Sequence, residues 1–276
     1  MMSTDRSRSL LILENVRKVF SRGTVDEVTA LDGVNLNVFD RDFVTVIGSN
    51  GAGKSTALNV ISGVYPPGTG SRVIINDKDV TAIPEHDRAA WVSRVYQEPE
   101  AGTSPNLTIE ENLALALLRG QPRRLRGAVN KKRREVFREA LEPLGLGLEN
   151  RLTAPVGTLS GGQRQALALV MATISRPSLL LLDEHIATLD PRAAETILKL
   201  TDMIIQREQT TALMVTHNME IALRYGNRLV MMHRGKTIVD IEAERKNKLT
   251  VNDLVNAFER AAGEQLADES IMLGQH

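Results

Sequence analysis

The sequence contains no cysteine, which excludes disulfides, zinc–thiolate sites and thiol catalysis and fits a reducing compartment. Neither sign of charge is in excess: 34 Lys plus Arg balance 34 Asp plus Glu. Overall charge therefore gives no reason to expect a nucleic-acid partner. Long hydrophobic runs are missing too. The nearest candidates, Leu113–Leu118 and Leu179–Leu182, fall far short of the roughly 20 apolar residues that cross a bilayer. The opening MMSTDRSRSLLILENV has too short an apolar stretch, and turns acidic too soon, for a signal peptide. A soluble chain is expected, with any membrane role coming through a partner. No internal repeat or low-complexity segment is present, and 276 residues can bury a substantial core.

What the chain does have is a series of short apolar runs of strand length. Val34, Leu36 and Val38 alternate with polar residues, as on a half-exposed antiparallel strand. The runs ending at Ile47, Leu182 and Thr216 are continuously apolar, as in central parallel strands covered on both faces. Each is followed by polar or glycine-rich residues, where an α/β sheet carries its ligand loops. From about 108 to 175 the pattern turns helical. Thr108 and Glu111 form a capping-box pattern, Lys131–Leu144 and Gln163–Ile174 read as helices, and Gly145 and Gly147 break them. A last helix begins near Thr250, with Val251, Leu254, Val255 and Phe258 on one face, and a tail follows over 263–276.

Gly48-Ser49-Asn50-Gly51-Ala52-Gly53-Lys54-Ser55-Thr56 matches G-x-x-x-x-G-K-[ST] between a predicted strand, Phe43–Ile47, and a predicted helix, Thr56–Ile61. Glycines let successive backbone N–H groups converge on phosphate oxygens, and a helix N-terminus adds roughly half a positive charge. Lys54 is placed to bridge the β- and γ-phosphates of ATP and Ser55 to ligate Mg²⁺. The run Leu179–Leu182 delivers Asp183, a further Mg²⁺ ligand, and Glu184, a general base for the attacking water. Asp-Glu-His alone also suggests a helicase, but Ile186 follows, and a helicase leaves the LSGGQ segment upstream without a role.

Leu159-Ser160-Gly161-Gly162-Gln163-Arg164-Gln165 resembles the signature of the ABC ATPases, and the resemblance extends from about Leu10 to Phe258. It implies a P-loop NTPase (RecA-like) α/β core with an N-terminal antiparallel β subdomain and an inserted helical subdomain. The implied single domain covers 10–262: core 10–97 and 176–249, helical subdomain 98–175, C-terminal helix 250–262. It also implies a head-to-tail dimer, with a second copy or a homologous ATPase subunit, in which Ser160, Gly161, Gly162 and Gln163 cap the ATP held by the partner's P-loop. Gln97 matches the glutamine that senses Mg²⁺ and the attacking water, and His217 the histidine that contacts the γ-phosphate. Asp190 matches the aspartate that communicates across the dimer, and Phe20 the aromatic that stacks on adenine. Two features depart from the family pattern. His185-Ile186 stands where Pro-Thr is common, and Ser21–Thr29 lengthens the segment after Phe20.

The family resemblance implies an ATPase on the cytoplasmic membrane face, working with integral membrane permease subunits. A stand-alone cassette resembles importer subunits, which implies an extracytoplasmic substrate-binding protein as a further partner. The segments GSNGAGKST, MATISRPSLLLLDEH and VTHNMEIALRYGNRL are similar to bacterial amino-acid importers related to the branched-chain systems, often assigned to tryptophan or tyrosine. An exporter subunit and a soluble, non-transport ABC ATPase remain as alternatives. The short end of the chain is expected to leave no room for a regulatory domain.

Between Arg119 and Arg138 basic residues crowd together without aromatics for base stacking. One reading is a solvated helix face. The other is contact with anionic lipid, at about 1 kcal/mol per charge near the surface. On the lipid reading, replacing Arg123, Arg124 and Arg126 by Glu weakens retention on native membranes at low salt, measured by sedimentation; unchanged retention discards it.

Overall fold

The computed structural model describes residues 8–120, 129–260 and 263. Arg123, Arg124 and Arg126, and the tail beyond 263, lie outside the described residues. The chain forms two compact units. One comprises Met1–Ile61, Tyr65–Ala82 and Leu213–His276, and the other Ser62–Val64 and Ile83–Ala212.

The first unit opens with an antiparallel pair, β1 (Ser9–Phe20) and β2 (Val28–Phe39). Their register sets Leu11 opposite Val38 and Leu13 opposite Leu36, so the alternating apolar residues share the buried face. After β3 (Phe43–Gly48) and α1 (Lys54–Ser62), β4 (Arg72–Ile75) joins the free side of β1. Then β5 (Lys78–Asp79) folds back on β4 through Asn76 and Asp77, both left-handed, as a two-residue hairpin turn requires. The sheet order is β2-β1-β4-β5.

A second sheet of this unit runs β10-β9-β3-β8, from β8 (Thr211–Val215), β9 (Arg228–His233) and β10 (Lys236–Glu242). β3 is parallel to β9, and every residue of it but the last is buried. Helices α7 (Met219–Arg224), α8 (Ala243–Lys246) and α9 (251–260) follow the later strands. Leu254 of α9 is fully buried against Ile47, Ala222, Leu229 and Met231, with Phe258 beside them. Val255 is instead 37% exposed, because the stripe on α9 runs through 251, 254 and 258. Arg228 ties the unit together: it grips Asp240 with two hydrogen bonds of 2.7 and 2.6 Å and donates to Asn37 O and Asp42. These acidic partners raise its pKa, Asp240 most of all.

The second unit contains α2 (Glu85–Arg88), β6 (Val92–Val95), α3 (Ile109–Leu117), α4 (Lys131–Leu141), α5 (Gly161–Thr173), β7 (Leu179–Asp183) and α6 (Pro191–Glu208). β6 and β7 pair in parallel, Val95 opposite Leu182. The Thr108–Glu111 capping box is present at the start of α3. α4 stops at Leu141, earlier than its apolar pattern suggests. Pro143 lacks the N–H to continue it, so a 3₁₀ turn takes over Glu142–Leu144 and ends at left-handed Gly145.

Candidate functional site

The expected site residues fall into two sets, one in each compact unit. In the first unit β3 ends in the glycine-rich loop. A Cβ on Gly53 (φ 96°) would stand 2.4 Å from Ala30 O, and one on Gly48 2.2 Å from Met232 O. Only glycine fits such close approaches of backbone to backbone. Ser49, Asn50, Gly51 and Ser55 are exposed, Thr56 is half-buried, and Ala52 is buried. α1 starts at Lys54, so the free N–H groups of its first turn lie where the loop ends. Lys54 is itself buried, its Nζ donating to Gly48 O at 2.8 Å and Ser49 O at 3.0 Å.

His217 follows β8 and lines a cavity of about 260 Å³ together with Gly48, Ser49, Asn50, Met231 and Phe258. Its backbone is held by its neighbour: Asn218 donates its N–H to Thr216 Oγ1 and caps α7 by accepting from Ile221 N. Phe20 lies at the end of β1, edge-on to Tyr65 at 5.3 Å between centroids. Lys18 Nζ sits 5.3 Å above the Phe20 ring and donates to Pro66 O. Phe20 is thus part of an aromatic pair, half-buried at the strand end.

In the second unit β7 delivers Asp183, which is buried and paired with Arg94 of β6. Arg94 was not among the expected residues; a lone arginine in an apolar strand is the only signal the sequence offers for it. Glu184 follows with a left-handed backbone, φ 45°, unusual for a residue with a side chain. His185 is 1% exposed, its Nε2 is 3.1 Å from Thr201 Oγ1, and burial lowers its pKa to about 4. Asp190 caps α6, accepting from the backbone N–H of Arg192 and Ala193 at 3.0 Å each.

Ser160 and Gln163 form a capping box at the start of α5. Ser160 Oγ accepts from Gln163 N at 3.3 Å, and Gln163 Oε1 accepts from Ser160 N at 3.2 Å. This fixes Gly161 and Gly162 in the helix's first turn, where backbone N–H groups have no helical acceptor. The same helix reaches the segment of Gln97. Gln165 donates to Tyr96 O at 3.2 Å, and Arg164 pairs with Glu100. Gln97 itself is exposed, and its carbonyl lies 3.5 Å from Thr188 Oγ1. Within this unit the signature helix contacts the Gln97 segment, and Thr188, between the acidic pair and Asp190, contacts Gln97.

A family profile described as "ABC transporter" matches residues 31–187, more than half of the chain. The chain belongs to the ABC transporter family. A tyrosine transport ATP-binding protein of Clostridioides difficile (strain R20291) is 40% identical over 252 residues, covering 91% of this chain and 100% of that protein. The lipoprotein-releasing system ATP-binding protein LolD of Hahella chejuensis (strain KCTC 2396) is 35% identical, covering 79% of this chain and 91% of that protein. Among solved structures, a dimeric ATP-binding cassette in a post-hydrolysis state with ADP and Pi superposes with a TM-score of 0.71. It is 28% identical, over 85% of this chain and 99% of that one. The protein is accordingly an ATP-hydrolysing cassette with the P-loop NTPase fold, of a family that works as dimers with membrane permeases. Among the described residues no helix is long and apolar enough to cross a membrane.

Arg94 and Asp183 are a largely buried charged pair in this cassette, and removing one partner takes a close opposite charge from the other. Arg94→Met is expected to destabilise the fold by about 3 kcal/mol in urea denaturation. A change smaller than about 0.5 kcal/mol, the level of an ordinary surface substitution, would contradict this role.

Proposed function

We propose that this cassette energises amino-acid import, closing head to tail with a second copy or a homologous subunit around two ATP molecules. A separate integral membrane permease carries the cargo, supplied by an extracytoplasmic substrate-binding protein, and the cassette sits on the cytoplasmic face. The observation that carries this reading is that one chain bears two glycine-rich helix starts, one in each compact unit, of the kind that suits phosphate. The first is the glycine loop leading into α1, and the second is the Ser160-capped start of α5. Import of an amino acid is supported by the tyrosine transport relative, aligned over its whole length. The lipoprotein-releasing relative keeps the exporter reading as the second choice.

Within this reading each residue has a role. Backbone N–H groups of Gly48–Thr56 cradle the phosphates, and Lys54 exchanges its carbonyl partners for β- and γ-phosphate oxygens. Ser160, Gly161 and Gly162 cap the γ-phosphate of the ATP bound to the partner subunit, with Gln163 holding the helix start. Phe20 faces adenine, and Asp190 communicates between subunits. Glu184 takes a proton from the attacking water; the water oxygen bonds to Pγ, the Pγ–O bond to ADP breaks, and phosphate leaves. His217 donates to the γ-phosphate, and Gln97 orients the water.

Mg²⁺ supplies charge neutralisation at the phosphate oxygens when bound. Ser55 and Asp183 would hold it, with Gln97 nearby in the reaction. Among the described residues no group of three or more His, Cys, Asp or Glu gathers. A hydroxyl and a carboxylate are the hard oxygen donors that suit Mg²⁺, which binds few protein oxygens and keeps waters and phosphate oxygens.

Glu184→Gln is expected to keep ATP binding and trap a closed dimer, while turnover falls about a thousandfold or more, roughly 4 kcal/mol of barrier. Lys54→Ala is expected to lose both binding and turnover. Steady-state ATPase rates and size-exclusion chromatography with ATP check both, and wild-type turnover in Glu184→Gln would remove the general base from this mechanism.

A further inference from the structure

His185 is buried, titratable and unused by the mechanism above, and it directly follows the proposed base. Its imidazole does not turn toward solvent or toward a carboxylate; its Nε2 lies 3.1 Å from Thr201 Oγ1 in the middle of α6. Thr201 commits its own hydroxyl proton to Ile197 O, 2.8 Å away. Toward His185 that oxygen can only accept, so the ring is the Nε2–H tautomer and donates. Both partners are 1% exposed, so the bond forms away from water, where an unpaired polar group is costly.

The segment that this bond closes holds two proposed site residues. Glu184 has its left-handed backbone, a conformation that persists only where neighbours enforce it. Ala187 N donates to Glu184 O at 2.9 Å and Leu189 N to Ile186 O at 3.2 Å, tightening the turn. Asp190 then caps α6, and Thr201 lies about three turns further on. Strand end, turn, cap and helix thus form a loop that returns to its starting point through one side-chain bond.

We propose that His185 is a positioning residue for ATP hydrolysis: its bond to Thr201 locks Glu184 and Asp190 into one rigid piece. The inference rests on the reading of Glu184 as general base. The bond acts through the backbone that directly follows residue 184, so its loss loosens the base without touching the loop that binds ATP. A displacement of this kind costs rate rather than affinity.

The test is steady-state ATPase kinetics of the full chain for His185→Met, Thr201→Val, their double variant and the conservative Thr201→Ser, with melting temperature and ATP affinity measured alongside. His185→Met and Thr201→Val are expected to lower kcat about tenfold while KM for ATP stays within about twofold. Thr201→Ser, which keeps the acceptor, is expected to retain most of the wild-type kcat. The double variant is expected to fall no further than the lower single one, as for two partners of one bond. If His185→Met does not fold, Thr201→Val against Thr201→Ser decides. Wild-type kcat in Thr201→Val, with Glu184→Gln inactive, overturns this inference alone. Equal losses in Thr201→Val and Thr201→Ser that follow the melting temperature also overturn it. An active Glu184→Gln overturns the base assignment, and this inference with it.

Discussion

Two backbone carbonyls, Met232 O and Ala30 O, stand where Gly48 and Gly53 would otherwise carry side chains. That close approach is the constraint on which the nucleotide loop depends. It seats the loop against β9 and β2 and lets α1 begin at once after Gly53. The first-turn N–H groups and the Lys54 ammonium then share one small region. β3 supports the arrangement as a parallel strand buried from Phe43 to Ile47 and paired with β9 as far as Gly48 opposite Met232.

In each unit one arginine has its carboxylate partner fixed by strand register. Arg94 reaches Asp183 because β6 and β7 run in parallel with Val95 opposite Leu182. Arg228 reaches Asp240 because β9 and β10 form an antiparallel hairpin, and it reaches Asp42 and Asn37 O around the β2–β3 turn. Such pairs contribute little net stability over an apolar pair of the same shape, but they make misregistered strands costly by leaving charges bare. In the second unit the outcome is a carboxylate, Asp183, held in one orientation beside a strained Glu184.

Much of this was legible in the chain, for reasons that differ by element. The continuous apolar runs of β3, β7 and β8 read as covered strands because parallel pairing leaves no wet face. Thr108 and Glu111 announced α3, since a capping box is a local rule needing no tertiary knowledge. Ser160 and Gln163 carry the same four-residue signal, and both are engaged in it, which gives Gln163 a helix-start role beside any contact with nucleotide. The long helix α6 carries two local signals, a cap followed by proline at Asp190-Pro191 and an apolar stripe through Ile197, Leu200, Ile204 and Ile205. β5 is two polar residues long and becomes a strand only through its hairpin. Arg94 and the His185–Thr201 bond were out of reach, because each joins positions whose proximity is set by packing rather than by spacing along the chain.

The central claim is that this ATPase drives a membrane permease, and its most direct test is composition of the native complex. The chain is recovered from detergent-solubilised native membranes, and its companions are identified and quantified by mass spectrometry. A polytopic membrane protein at one-to-one stoichiometry is the predicted result, and a co-purifying binding protein would lead to the cargo. Recovery with ribosomal or DNA-associated proteins and no integral membrane protein would contradict the transport claim while leaving the ATPase intact.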